Sequence, residues 1–210
     1  MPPRAPTPPA EEPRARLVEA AIEQIEQHGL SKLTIREVAA AAGANIAAVN
    51  YYFGSKDALV SAALEGTIRS LMEDVDEILK EVAADPKRGF SELLEYLLEG
   101  TQRFPRISKA HLHDAFSGDD YSGPFPVLFA PMLGRIRDAL RRALPELSEA
   151  AASRRTVAAL SAMFFPGFFA GLFRDHSVLD SQRERREYAQ EVARQLLAPV
   201  PKPKRTKSKR

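Results

Sequence analysis

The stretch TIREVAAAAGANIAAVNYYFGSK, residues 34–56, decides the fold. Thr34 is placed to cap a helix, Glu37 to close a capping box on it, and Leu33 to staple against Val38. Ile35, Val38, Ala39 and Ala42 follow at the spacing of one apolar helix face. Gly43 ends that helix and Asn45 can cap the next, so only Ala44 and Asn45 separate Gly43 from Ile46. So short a link sends the second helix off at a sharp angle, and that helix, NIAAVNYYF, is too polar on one side to be all core. This is the pattern of a helix-turn-helix whose second helix is suited to the major groove of DNA.

Outward from this stretch the chain reads as all-α, with no convincing alternating strand and no repeat of fixed period. Upstream, Leu17, Val18, Ala21, Ile22 and Ile25 share one face of a first helix that stops at His28 and Gly29. Residues 1–13 are proline-rich and predict a disordered arm. Downstream, Gly54 breaks the chain and Ser55 can cap a long connector helix running to about residue 84. Its inner stripe is Leu59, Ala63, Leu64, Ile68, Leu71, Met72, Val75, Ile78, Leu79 and Val82, and Asp85-Pro86 ends it.

Five more helices follow, bringing the count to about nine. One carries Phe90, Leu93, Leu94, Leu97 and Leu98; the others are expected near 107–116, 126–144, 148–175 and 181–197. SGDDYSGP, 117–124, is a loop by composition, and Ser181 with Glu184 opens the last helix as a capping box. The expected organisation is an arm (1–13), a three-helix DNA-binding domain (14–60), a helical ligand-binding and dimerisation domain (61–198) and a basic disordered tail (199–210).

Composition narrows the function classes. The 210 residues hold no cysteine, which excludes disulfides and thiolate metal sites and suits a reducing, cytoplasmic setting. The N-terminus lacks the apolar core of a secretory signal. AALSAMFFPGFFAGLF, 158–173, is short for a membrane span and is interrupted by Pro166 and Gly167, so it reads as protein interior. The net charge of +2 includes six cations in the tail (Lys202, Lys204, Arg205, Lys207, Lys209 and Arg210); without them the body stands at −4. Affinity for DNA must therefore come from where charges and donors sit.

The second helix offers what a groove reader needs. Ala47 and Ala48 near its start leave room for close approach and can touch thymine methyl groups, and Ile46 beside them belongs to the expected DNA-binding set. Asn45, Asn50 and Tyr51 are base-side candidates; Thr34, Tyr52 and Lys56 are phosphate-side candidates. Arg36 can reach the backbone or stand solvated, and Tyr51 and Tyr52 can alternatively be half-buried packing residues. Val49 and Phe53, four apart, can face inward and hold the helix down.

These residues resemble the N-terminal domain of the TetR family of transcriptional regulators, whose pattern is T-x-x-x-[IVL]-A-x-x-A-G, a short recognition helix ending in an aromatic pair, then F-x-[SN]-K-x-x-L. The match lies at Thr34, Val38, Ala39, Ala42, Gly43, Tyr52, Phe53, Ser55, Lys56 and Leu59, within about residues 14–64; beyond that the likeness is in helix count and length. Many members carry Leu-Tyr where this chain has Val49-Asn50, so the contact credited to that tyrosine passes to Asn50 or is absent. The resemblance implies a homodimer paired through its last two helices, an operator of double-stranded DNA, no cofactor and no catalytic residue. It implies a second domain that senses a small molecule, whose binding spreads the recognition helices beyond the spacing of successive major grooves, about 34–36 Å. Repression with release by an apolar or aromatic effector is the expected mode; activation, or a co-repressor that binds with its ligand, is the alternative within the same fold.

The expected ligand-facing residues are Met72, Tyr96, Phe104, His111, His113, Phe116, Phe164 and Phe168, with core or interface packing as the plain reading for the phenylalanines. His111, His113 and Asp114 tempt one toward a metal or an acid–base site, and an enzyme using His111 or His113 as base is the rival of another class. Positions two apart on a helix face apart, so no metal site is expected. The tail and the arm, with Arg4, Arg14 and Arg16, are either DNA-contacting or merely solvating.

Overall fold

Helix α1 spans Glu11–His28 in the computed structural model, which describes residues 11–173 and 179–199. It begins inside the expected arm, because Pro13 falls in its first turn, where a missing N–H breaks no intrahelical bond. Residues 1–10 and nearly all of the basic tail (200–210) lie outside the described residues, as do 174 and 175 at the end of the helix expected over 148–175, which stops earlier, at Phe168, and passes into a 3-10 turn. Gly29, at φ 88°, ends α1 and donates to the Ile25 carbonyl at 2.8 Å. A 3-10 turn, Leu30–Lys32, leads into α2 (Ile35–Ala41) and α3 (Ile46–Phe53).

Then come α4 (Lys56–Ala84), α5 (Pro86–Arg103), α6 (Pro105–Ala110), α7 (His113–Gly118), α8 (Pro124–Ala143), α9 (Glu149–Phe168), a 3-10 turn at Ala170–Leu172, and α10 (Gln182–Leu196). All regular structure among the described residues is helical. The single helix expected over 107–116 is divided into α6 and α7. Leu112 sits at φ −105°, ψ 2°, and its N–H turns back to the Lys109 carbonyl at 3.1 Å instead of continuing the helix. Ser181 and Glu184 form both halves of the expected capping box on α10.

By compactness the chain divides into two units. One holds the residues up to Asp74 with Gly100–Ala130; the other holds Val75–Glu99 with the residues from Pro131. The first has a core of Leu17, Ala21 and Ile25 from α1, Val38 from α2, Val49 from α3 and Leu59 and Ala63 from α4, joined by Ile107 and Ala110 of α6. Helix α6 is thus part of the core beneath the helix-turn-helix.

It is also tied to α1 by reciprocal caps. The Glu26 carboxylate accepts the Arg106 and Ile107 N–H groups at 3.2 and 2.9 Å, which α6 cannot satisfy itself. The Arg106 guanidinium in turn donates to the Glu26 carbonyl at 3.0 Å and to that of Gln27, at the end of α1.

In the second unit, Phe90, Leu93, Leu94, Ile136, Leu140, Leu160 and Met163 are essentially fully buried. Arg155 on α9 caps the end of α10 through the carbonyls of Leu196 (3.0 Å) and Ala198. Pro166 has no N–H for the carbonyl four residues back, Ala162, and the Tyr188 hydroxyl donates to that carbonyl at 2.9 Å. Tyr188→Phe is therefore expected to destabilise by about 1 kcal/mol in urea unfolding. In a Pro166→Ala background, where a backbone N–H is restored, the same change should have a smaller effect. Equal losses in both backgrounds would remove the hydroxyl from this role.

Candidate nucleic-acid interface

The interface is built on backbone geometry that the residues of 34–56 impose. Thr34, extended at φ −123°, accepts the Glu37 N–H on its Oγ1 at 3.2 Å. The second half of the expected capping box differs: the Thr34 hydroxyl donates to the Glu37 carboxylate at 2.6 Å, so the carboxylate is held by the side chain. At the other end of α2, Gly43 adopts φ 62°, a conformation that suits glycine. The Gly43 N–H meets the Ala40 carbonyl at 3.1 Å and the Ala44 N–H the Ala39 carbonyl at 2.8 Å, the two bonds of a Schellman stop. Asn45 then caps α3, its Oδ1 accepting the Ala48 N–H at 2.8 Å. Gly54, at φ 74°, closes α3, and Ser55 caps α4 through the Ala58 N–H at 3.1 Å.

These constraints fix which side of α3 is free. Val49 is fully buried, and Ala48, Tyr52 and Phe53 are partly buried against the same core. Ile46, Ala47, Asn50 and Tyr51 are left on the opposite, exposed side, and Tyr51 is 82% exposed. The expected groove-facing set therefore separates: Ala48 and the ring of Tyr52 turn partly inward because Val49 anchors their face. Tyr52 supports Tyr51 edge-on, with ring centroids 5.0 Å apart. Asn45 uses its oxygen as a cap, which leaves its amide N–H groups as donors. Thr34 and Arg36 are exposed, and Lys56 is half-buried in the first turn of α4, beside N–H groups that a helix start leaves unpaired.

Residues 14–60 carry five basic side chains (Arg14, Arg16, Lys32, Arg36, Lys56) and five acidic ones, so this surface is neutral in sum. Its chemistry is that of placed donors and a close-fitting apolar edge. One cation has a structural role that its place in the sequence does not announce: the Arg14 guanidinium lies over the Phe53 ring, 5.3 Å from its centroid, joining the start of α1 to the end of α3.

The eight expected ligand-facing residues divide between the units. Phe104 and Phe116 are exposed, Phe116 by 74%. Phe164 and Phe168 stack on each other, 5.6 Å apart and 13° from parallel. Tyr96 lines a polar groove of about 820 Å³ between α5 and α10, with charged neighbours such as Arg88, Glu92 and Arg186. A smaller, largely apolar cavity of about 390 Å³ is lined by Ser161, Ala162, Phe165, Pro166, Phe173, Leu179 and Tyr188. Met72 is half-buried.

His113 is exposed on α7, whereas His111, at the end of α6, is half-buried with its Nδ1 fully buried, so the two imidazoles belong to different surroundings. Among the described residues no group of three His, Cys, Asp or Glu side chains could hold a metal ion. Burial lowers the His111 pKa from 6.5 to about 4. The unfolded chain therefore binds the extra proton first. The stability this confers is complete above about pH 6.5 and is lost as pH falls toward 4. Between pH 7 and pH 5 the loss is about 2 kcal/mol. His111→Phe should remove that part of the pH dependence of the urea midpoint; an unchanged dependence would contradict the burial argument.

The comparisons with known proteins agree with this geometry. The family described as bacterial regulatory proteins, tetR family, matches residues 17–63. The HTH-type transcriptional regulator BetI of Paraburkholderia phytofirmans is 34% identical over 74 residues, 35% of this chain and 38% of that protein. The chain thus spans about two-fifths of the length of that curated relative. Among solved structures, a TetR-family transcriptional regulator from Mesorhizobium loti superposes at a TM-score of 0.75 and 14% identity, covering 91% of this chain and 98% of that one. A TetR transcription regulator from Haloarcula marismortui superposes at 0.67 and 23% identity, covering 89% and 97%. The similarity in sequence lies in the helix-turn-helix region; the similarity in fold extends over nearly the whole chain.

Proposed function

We propose that this chain, a member of the TetR family of bacterial regulatory proteins, is a repressor that binds a two-fold-symmetric operator as a homodimer and is released by a small apolar or aromatic effector. The observation that carries the reading is the free face of α3: Ile46, Ala47, Asn50 and Tyr51 point away from a core fixed by Val49, on a helix held at both ends by glycines and caps. Side chains that the fold does not use, on a short helix after a sharp turn, are what major-groove readout requires. Asn50 and Tyr51 meet base edges, and Lys56 with the first turn of α4 meets a phosphate. Thr34 and Arg36 flank that contact.

Dimerisation is supported by exposed apolar side chains on and just after α9: Val157, Phe165, Phe169 and Leu172 are 38–69% exposed. Phe165 packs against Phe169 and Phe173, at 5.2 and 5.8 Å. Exposed apolar side chains on one element favour an association surface, and α9 with α10 is where the family pairing lies. The protein acts in the cytoplasm, with the DNA; no helix among the described residues is long and apolar enough to cross a membrane.

Lys56→Ala tests the phosphate contact. Affinity should fall to a similar degree on all sequences, and the slope of log affinity against log salt should decrease by about 1 for each Lys56 removed. An unchanged slope would take Lys56 out of the interface. The reading as a whole is tested by a mobility shift on selected duplex DNA with and without aromatic small molecules. Repression with release expects a shift that the effector abolishes, and a shift seen only with the effector would reverse the sign of regulation.

A further inference from the structure

The hydrogen bonds around His111 fix which of its ring nitrogens carries the proton. The Thr67 hydroxyl donates its one proton to the Leu64 carbonyl at 2.9 Å, and its oxygen lies 2.9 Å from His111 Nε2. With that proton spent, Nε2 must donate to Thr67, and the lone pair is left on Nδ1. Nδ1 is buried and has no hydrogen-bond partner among the described residues. Phe125, in the first turn of α8, packs over the imidazole at 5.9 Å and stacks on Phe129 at 5.1 Å.

The resulting site is specific in what it accepts. An imidazole that stays neutral at pH 7 and whose N–H is already engaged can only accept, so its partner must bring a hydrogen-bond donor. A carboxylate has no proton to give and is excluded. The neighbouring surface is two phenyl rings, which favour a flat aromatic body.

We propose that His111 Nδ1 accepts the hydroxyl proton of a hydroxylated aromatic effector whose ring packs against Phe125 and Phe129. The inference rests on the effector reading above and names the ligand class and the atom that recognises it. Nδ1 is buried, so entry requires its surroundings to open, and the proposal assigns that opening to the Phe125 end of α8, whose ring packs on the imidazole. Pro131 has no N–H for the Val127 carbonyl, so the first two turns of α8 are tied to the rest of that helix by one bond fewer. The other end of α6 is clamped to α1 by Glu26 and Arg106, so occupancy at His111 acts on a helix that shares the core of the DNA-binding elements.

The test uses the full chain and two probes of nearly the same shape, 1-naphthol and 1-methoxynaphthalene, which differ in the donor. Calorimetry should show the naphthol binding about tenfold more tightly, the worth of one neutral hydrogen bond in a dry site. His111→Phe should abolish the difference, and His111→Asn, whose amide oxygen can stand near the place of Nδ1, should keep part of it. The His111 Nδ1 nitrogen resonance should shift with the naphthol alone. If wild type treats the two probes alike, by equal binding or by none, or if His111→Phe still discriminates, the proposal is overturned. Operator release is scored separately. Discrimination without release would leave the site standing and sink the effector reading; release insensitive to His111 would do the reverse.

Discussion

Gly89→Ala is expected to destabilise the protein by about 3 kcal/mol or more, the upper range for overpacking a closed site. Gly89 lies in the first turns of α5, where the chain has just reversed at Asp85 and Pro86. A Cβ there would lie 2.5 Å from the Val82 backbone nitrogen and 2.6 Å from its Cα. Those atoms belong to α4 and cannot swing aside as a side-chain end could, so the two helices must part. The Arg88 N–H bond to the Asp85 carboxylate, at 3.1 Å, would be strained with them. Alanine's better helix propensity, about 1 kcal/mol, works the other way and is outweighed. Gly100→Ala is the control: it is also within α5, nothing lies within 4 Å of its would-be Cβ, and it should be stabilising or neutral. A Gly89→Ala protein with a urea midpoint at or above wild type would show that α4 and α5 are not packed this closely.

The second large effect is expected on DNA. Asn50 and Tyr51 are exposed on the free face of α3, and the Asn50 carbonyl, which any residue would supply, receives the Gly54 N–H at 2.9 Å. Asn50→Ala should therefore leave stability within about 0.5 kcal/mol of wild type. On the operator it should remove about 1–3 kcal/mol for each base contact, counted twice because a dimer presents two copies. The signature is selective: preference relaxes at one base pair in each half-site, while affinity for nonspecific DNA hardly changes. Competition binding over single-base operator variants reads this directly. Uniform weakening on every sequence would assign Asn50 to the backbone instead of a base.

Much of the fold was legible in the sequence because it depends on local chemistry. Caps at Thr34, Asn45 and Ser181 and left-handed glycines at 29, 43 and 54 act over a few residues, and the structure shows each in place. The stripe on α4 was likewise readable, with Leu59, Ala63, Leu64, Ile68, Val75 and Val82 buried and the intervening Leu71, Met72, Ile78 and Leu79 half-buried.

What was not legible depends on partners distant in the chain. Periodicity marks the centre of an apolar face, here Val49, without saying how far the cover reaches, so Ala48 and Tyr52 stood with Asn50 and Tyr51 in the expected DNA-facing set although the core partly buries them. Thr67 and His111 are 44 residues apart, and Glu26 and Arg106 are 80 apart; no local signal joins either pair. The Pro166 carbonyl deficit could have been inferred, since a helical proline leaves a carbonyl four residues back, but not that Tyr188 would fill it. The ligand-facing set rested on aromatic composition, which does not distinguish Phe116, turned outward, from Phe125, packed on His111.

If the free face of α3 reads a symmetric DNA site, the sequences it selects must carry that symmetry. Selection of duplexes from a random pool by the wild-type dimer, followed by the same selection with Asn50→Ala, tests this most directly. The expected result is a palindrome with half-sites centred about one helical turn, or a multiple of it, apart. The variant should lose preference at one symmetric pair of positions in that palindrome. Enrichment of no sequence above the starting pool, or a consensus that Asn50→Ala and Tyr51→Ala both leave untouched, would contradict it.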